Sequence, residues 1–169
     1  MLAVCLLTAC SNRDDDTSEA NTSNPLYAIV MPEGEQPAAI SPDDYVLTLQ
    51  NIIAVNPATG EFKVRDTQRM DSIAYPIPRQ HVIQFHSEGS LLFEAKLNSV
   101  ISSYLPSGLT FCHFLTDENG VARYSLGATH IVSPDGKMEG IPTEQQQQGM
   151  QRMYRILEEA GKTSSHIDY

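Results

Sequence analysis

The 169-residue chain has no tryptophan, and aromatic residues make up only 7% of it. Stacking platforms for sugars are correspondingly scarce. Basic residues are also few: 11 Lys and Arg stand against 21 Asp and Glu, for a net charge of −10 at pH 7. Binding to nucleic acid through its phosphates needs clustered Lys and Arg, so this balance argues against DNA or RNA as a partner. It argues equally against electrostatic docking on anionic lipid. Past residue 10 there is no apolar run long enough to span a bilayer. The three cysteines are Cys5, Cys10 and Cys112, and a chain of this length can bury a core without a disulfide framework. The five histidines, His81, His86, His113, His130 and His166, fall in no HExxH or HxH spacing, so neither a metal nor another cofactor is expected. A G-x-S-x-G elbow and a glycine-rich phosphate loop are both missing, and no residue is nominated as catalytic.

What is present begins with an address. Residues 1–9 (MLAVCLLTA) are uniformly apolar and are followed at once by Cys10. Leu7-Thr8-Ala9-Cys10 looks like a bacterial lipobox, in which the small residues fit the signal peptidase and the Cys thiol takes a diacylglycerol. Several acyl chains on one Cys, palmitate among them, anchor a protein in a bilayer for good. The apolar run is short and has no Lys or Arg before it, which points to a start upstream of Met1. Residues 11–24 turn abruptly polar and cannot bury enough surface to offset the entropy of ordering, so a flexible acidic tether is expected. Cys5 leaves with the signal peptide, Cys10 is lipidated, and Cys112 remains as a lone thiol of the kind usually found as a small core residue. The expected organisation is a signal peptide over 1–9, the lipidated Cys and tether over 10–40, one domain over 41–162 and a tail over 163–169.

The body reads as hairpins followed by a helix. Residues 51–55 and 61–65 flank Asn56-Pro57-Ala58-Thr59-Gly60, with Pro early and Gly last in the loop. Residues 81–86 and 91–97 flank a second loop over 87–90. Residues 109–115 and 121–126 flank Asp117-Glu118-Asn119-Gly120, whose Asn-Gly supplies the positive φ angles of a tight turn. Residues 26–31 are either a strand or a sticky part of the tether, and 129–132 is a further short strand. Thr143 with Gln146 forms a capping-box pattern, Met150, Met153, Tyr154 and Leu157 recur at helical spacing, and Gly161 stands at a C-cap position. These signals predict an α+β domain: an antiparallel sheet of about six or seven short strands with one amphipathic helix, from about Glu144 to Ala160, packed on it.

The segment Asn51 to Phe62, with Leu92-Phe93-Glu94-Ala95 and Val100-Ile101-Ser102-Ser103 after it, resembles segments recurring in small Bacteroides-type surface lipoproteins. The resemblance covers roughly residues 44 to 160 and brings no activity or catalytic residues with it. It implies a lipoprotein of the outer membrane. Asp14, Asp15 and Asp16, close after Cys10, resemble the surface-export signal of Bacteroidetes lipoproteins, which carries them to the exterior face, with a periplasm-facing orientation as second choice. Asp71-Ser72-Ile73 resembles the O-glycosylation acceptor of the same bacteria, which makes Ser72 a modification candidate.

For chemistry the residues offer little. Cys112 and His113 are adjacent and, on a strand, point to opposite faces. The acidic pairs Asp43-Asp44, Asp117-Glu118 and Glu158-Glu159 fall in turns or on an exposed helix rather than facing a cleft. The leading expectation is therefore a membrane-anchored, non-catalytic binding module. Its partners would be the bilayer, through acylated Cys10, and an unidentified protein or glycan reached through a solvated acidic surface and free sheet edges. Two alternatives stay open: a small hydrolase whose site is hidden in the fold, and an inhibitor of an extracellular peptidase acting through the Pro-rich residues 74–79.

Overall fold

The computed structural model describes residues 24–65, 81–102, 106–132, 134–135 and 138–168. Among the described residues ten strands and one α-helix follow in order, with a single 3-10 turn at Pro42–Asp44: β1 (Tyr27–Pro32), β2 (Leu47–Thr48), β3 (Ile52–Asn56), β4 (Glu61–Arg65), β5 (His81–Ser87), β6 (Ser90–Ser99), β7 (Gly108–Thr116), β8 (Val121–Thr129), β9 (Ile131–Val132), β10 (Met138–Glu139) and the helix α1 (Glu144–Glu159). Eight of the strands form one sheet in the order β2-β1-β5-β6-β7-β8-β4-β3, and β9 with β10 makes a small separate ribbon. The fold is α+β as expected, with one more strand in the main sheet than the hairpin signals counted.

Alternation decides which face is buried. Ile83 and Phe85 of β5, Ala95 and Leu97 of β6, Leu109 and Phe111 of β7, Ala122, Tyr124 and Leu126 of β8, and Phe62 and Val64 of β4 all join one apolar core. The rings interlock: Phe62 and Phe85 meet Phe111 edge-on at 5.5 and 5.6 Å, and Tyr124 stacks on Phe111 at 4.7 Å. Helix α1 closes this face with Met153 and Leu157, both fully buried, while Met150 and Tyr154 pack at its margin.

The helix is fixed at three points. Thr143 Oγ1 accepts from Gln146 N–H at 3.2 Å and Gln146 Oε1 accepts from Thr143 N–H at 2.9 Å, the reciprocal capping box foreseen from sequence. At the far end Gly161 takes φ +67°, and Lys162 N–H and Gly161 N–H return to Leu157 O and Glu158 O. In the middle, Gly149 lets the helix backbone touch the sheet: a Cβ at this position would lie 2.1 Å from Leu92 O.

Two features depart from the sequence-based expectation. Tyr27–Pro32 pairs with β5 along its whole length, so the sheet begins well before Ser41. Pro32 ends β1, and Gly34, Pro37 and Pro42 mark the loop between β1 and β2 rather than the start of the domain. Strands β6 and β7 run parallel, pairing Lys96 with Thr110 through Ser99 with His113. The connection over residues 100–107 is short for a parallel crossover. It suffices because β7 begins alongside the middle of β6, so the distance to be spanned is only part of the length of the strand.

Candidate functional site

A gap in the sheet is where polar chemistry can gather. Because β6 and β7 join only from Lys96 and Thr110 onward, the earlier half of β6 stands apart from its neighbour. There lies a cleft of about 220 Å³ lined by Glu33, Glu94, Lys96, Ser107, Ile141 and Gln146, among others. Lys96 Nζ is 3.5 Å from Glu33 Oε1. Gln146 reaches in from the first turn of α1 and donates to Glu94 O at 3.2 Å, which ties the helix to β6 where β7 has not yet joined it.

A polar chain runs from this cleft along the sheet. Gln84 Nε2 donates to Glu94 Oε2 at 3.4 Å, which leaves Gln84 Oε1 to accept from His86 Nε2 at 3.3 Å. That assignment puts the imidazole hydrogen on Nε2 and leaves Nδ1 bare; Nδ1 is buried with no hydrogen-bond partner. Burial pushes the His86 pKa down, so the ring is neutral at pH 7. On its other side His86 stacks on Tyr27 at 5.2 Å, and Tyr27 stacks on Tyr45 at 4.1 Å. Burial first, and the neighbouring Tyr45 second, push the Tyr27 phenol up.

The other notable surface is apolar. In β7 the register shifts between His113 and Leu115, and this bulge turns Phe114 and Leu115 outward, 47% and 48% exposed. Val100 N–H donates to His113 O at 3.0 Å, which holds the end of β6 against the same place. Val100 and Ile101 are 52% and 69% exposed there. Beside them lies an open pocket of about 90 Å³, walled by Glu61, Phe114, Leu115, Arg123 and the buried side chain of Ile167.

Of the residues singled out from sequence, Cys10, Ser72 and the 74–79 segment lie outside the described residues. Cys112 pairs across the strands with Asn98 and Ser125. His113 lies on the opposite face, with its ring 5.2 Å from Tyr124 and Nε2 3.1 Å from Thr116 Oγ1. The two therefore form no thiol–imidazole pair, and burial raises the Cys112 thiol pKa, which leaves it a poor nucleophile. Asp117 organises its own turn, accepting from Asn119 N–H at 2.8 Å and Val121 N–H at 2.9 Å, and these bonds hold its carboxyl below the usual range. Among the described residues no three His, Cys, Asp or Glu side chains gather into a metal-sized group.

Neither the Glu33–Glu94–Lys96 cleft nor the covering of the sheet edges was foreseen from sequence. Glu94 and Lys96 show there only as the polar members of an alternating strand. Their meeting with Glu33 and Gln146 depends on tertiary structure. The sheet edges, expected to be free, are covered in part. Strand β2 pairs with β1 at Tyr27 and Ala28, and the outer edge of β3 is bridged at Val55 by Thr163. The chain matches no family model, no curated protein and no solved structure.

Proposed function

We propose that this chain is a lipid-anchored binding module, held in the outer membrane by acylated Cys10 and facing the exterior, in line with its resemblance to Bacteroides-type surface lipoproteins. We propose further that it meets a protein partner through the end of the sheet bearing Val100, Ile101, Phe114 and Leu115. The observation that carries this reading is the grouping of four exposed apolar side chains at one end of a small acidic domain. Large apolar groups gathered together on a surface mark interaction sites, whereas single ones do not. Strand pairing adds direction. Tyr27 lies opposite His86, and His86 opposite Leu91, so the tether joins the sheet beside the β5–β6 turn. From Leu91 to Ser99 the strand rises about 26 Å at roughly 3.3 Å per residue, which carries the apolar end away from the anchored one.

A catalytic reading draws less support. The groups with raised or lowered pKa values at His86, Cys112 and Tyr154 are moved by burial alone, without the specific charge partner that tunes an active-site acid or base. Two measurements test the proposal. Cell fractionation of Cys10→Ala should move the chain from membranes to the soluble fraction, and unchanged partitioning would refute the anchor. A photo-cross-linker at position 101 of the anchored chain should capture a discrete protein partner. Equal capture from position 152, on the exposed face of α1, would refute the proposed surface.

A further inference from the structure

The segment after α1 behaves as a strap. Val55 N–H donates to Lys162 O and Ser164 N–H donates to Val55 O, both at 2.8 Å, so Thr163 lies alongside the outer edge of β3 in parallel register. Asn56 Nδ2 donates to Ser165 O at 3.1 Å. A tight turn follows, in which Ser164 Oγ accepts from His166 N–H at 3.2 Å. Ile167 is then buried, forming one wall of the pocket beside Phe114 and Leu115, and Arg123 donates to Asp168 O. Between Lys162 and Asp168 only Ile167 is buried. The strap is thus held by one pair of ladder bonds, a few further hydrogen bonds and one apolar plug.

We propose that the outer edge of β3 and the seat of Ile167, together with the open pocket beside it (the Ile167 socket), form a docking groove for an extended peptide of a protein partner, which residues 162–168 occupy in cis and vacate when the partner binds. This rests on the binding-module reading and supplies its ligand class. The strap itself states the chemistry the groove takes. It requires a backbone that pairs with Val55 through one donor and one acceptor, and an aliphatic or aromatic side chain four residues after the position opposite Val55. Strand addition to a sheet edge supplies affinity through such main-chain bonds, and a side-chain pocket supplies specificity. One observation favours exchange over permanent closure. Ile167 walls an open pocket of about 90 Å³ without filling it, and the pocket reaches exposed Phe114 and Leu115, so a partner side chain larger than Ile covers apolar surface that Ile167 leaves bare.

The test uses the full chain and a labelled peptide of the strap sequence, Lys162 to Asp168, read by fluorescence anisotropy. Wild-type protein should bind it weakly, because apparent affinity falls with the fraction of open groove. Ile167→Asp, which dislodges the strap, should bind it at least about tenfold more tightly. Ser164→Pro, which removes the donor to Val55 O and leaves the socket intact, should tighten binding in the same direction. A peptide carrying Asp at the Ile position should not bind. Hydrogen exchange should show the Val55 amide opening in both variants and closing again with peptide, while the amides of β7 and β8 stay protected. Equal peptide affinity for wild type and variants, or equal binding of the Asp-bearing peptide, would overturn the proposal. So would loss of β7 and β8 protection in both variants, which would make the strap an integral part of the fold. Failure here, with cross-linking from position 101 still intact, would remove the groove and leave the binding-module reading standing.

Discussion

Replacing Gly149 by Ala sets helix propensity against packing, and the structure fixes the sign. On propensity alone, Gly to Ala in a helix interior stabilises by about 1 kcal/mol. At this position, however, the new methyl would lie 2.1 Å from Leu92 O and 3.2 Å from Phe93 Cδ1. An oxygen of the β6 backbone cannot rotate aside as a side chain does. Relief therefore requires α1 to rise by about 1 Å, the difference between that separation and a normal carbon–oxygen contact. The rise would loosen Met153 and Leu157, both fully buried against the sheet. Overpacking of this kind costs about 1–3 kcal/mol, and the looser seating of those two side chains adds to it. The net expectation is destabilisation by about 2 kcal/mol. Urea titration should show a lower midpoint with an unchanged slope. Gln148→Ala, one position earlier on an exposed site, serves as control and should stay within about 0.5 kcal/mol of wild type. A Gly149→Ala protein more stable than wild type would refute the backbone-to-backbone docking of α1 on β6.

Other expectations follow from the same packing. Phe111→Ala removes the ring touched by Phe62, Phe85 and Tyr124 and should cost about 3–5 kcal/mol in urea or thermal unfolding; a cost below about 1 kcal/mol would mean the four rings do not share one core. His86 has a folded pKa below its unfolded value, so folding favours the neutral ring. The stability it contributes is complete above about pH 6.5 and falls as pH drops through that value toward the folded pKa. The His86→Gln protein should lose this part of the slope, and an unchanged pH profile would contradict the account of the buried ring. Cys112, half-buried with a raised pKa, should react with iodoacetamide at pH 7.5 more slowly than a free peptide thiol, with the rate rising on unfolding; alkylation at the peptide rate would contradict its burial.

How much of this was legible in the sequence follows from range. The turn chemistry of Asn56–Gly60 and Asp117–Gly120, the Thr143–Gln146 capping box and the Gly161 cap all act within five residues, and each formed where the sequence pointed. The β5–β6 turn is tighter than its sequence suggested, because Glu88 and Gly89 both adopt positive φ and let the strands extend to Ser87 and Ser90. Partner choice across the sheet was not legible. Strands β1 and β5 are separated in sequence by three other strands, and no local signal says that Tyr27 should meet His86. Parallel pairing of β6 with β7 was no more legible, because residues 100–107 carry no helix pattern to announce a crossover. Residues 163–169 look like a tail because they are mostly polar; only Ile167 carries the docking signal of the strap, and one aliphatic residue is no pattern.

Cross-linking from the apolar end of the anchored chain in intact cells tests the central proposal most directly. With a photoreactive residue at position 101, a discrete adduct should form in wild type. It should be lost, or fall by about tenfold, when Phe114→Ser and Leu115→Ser remove the neighbouring apolar side chains while Phe111 and Tyr124 keep the core beneath them intact. An adduct of equal yield in that double variant, or one formed equally well from position 152 on α1, would contradict the assignment of this surface as the binding site.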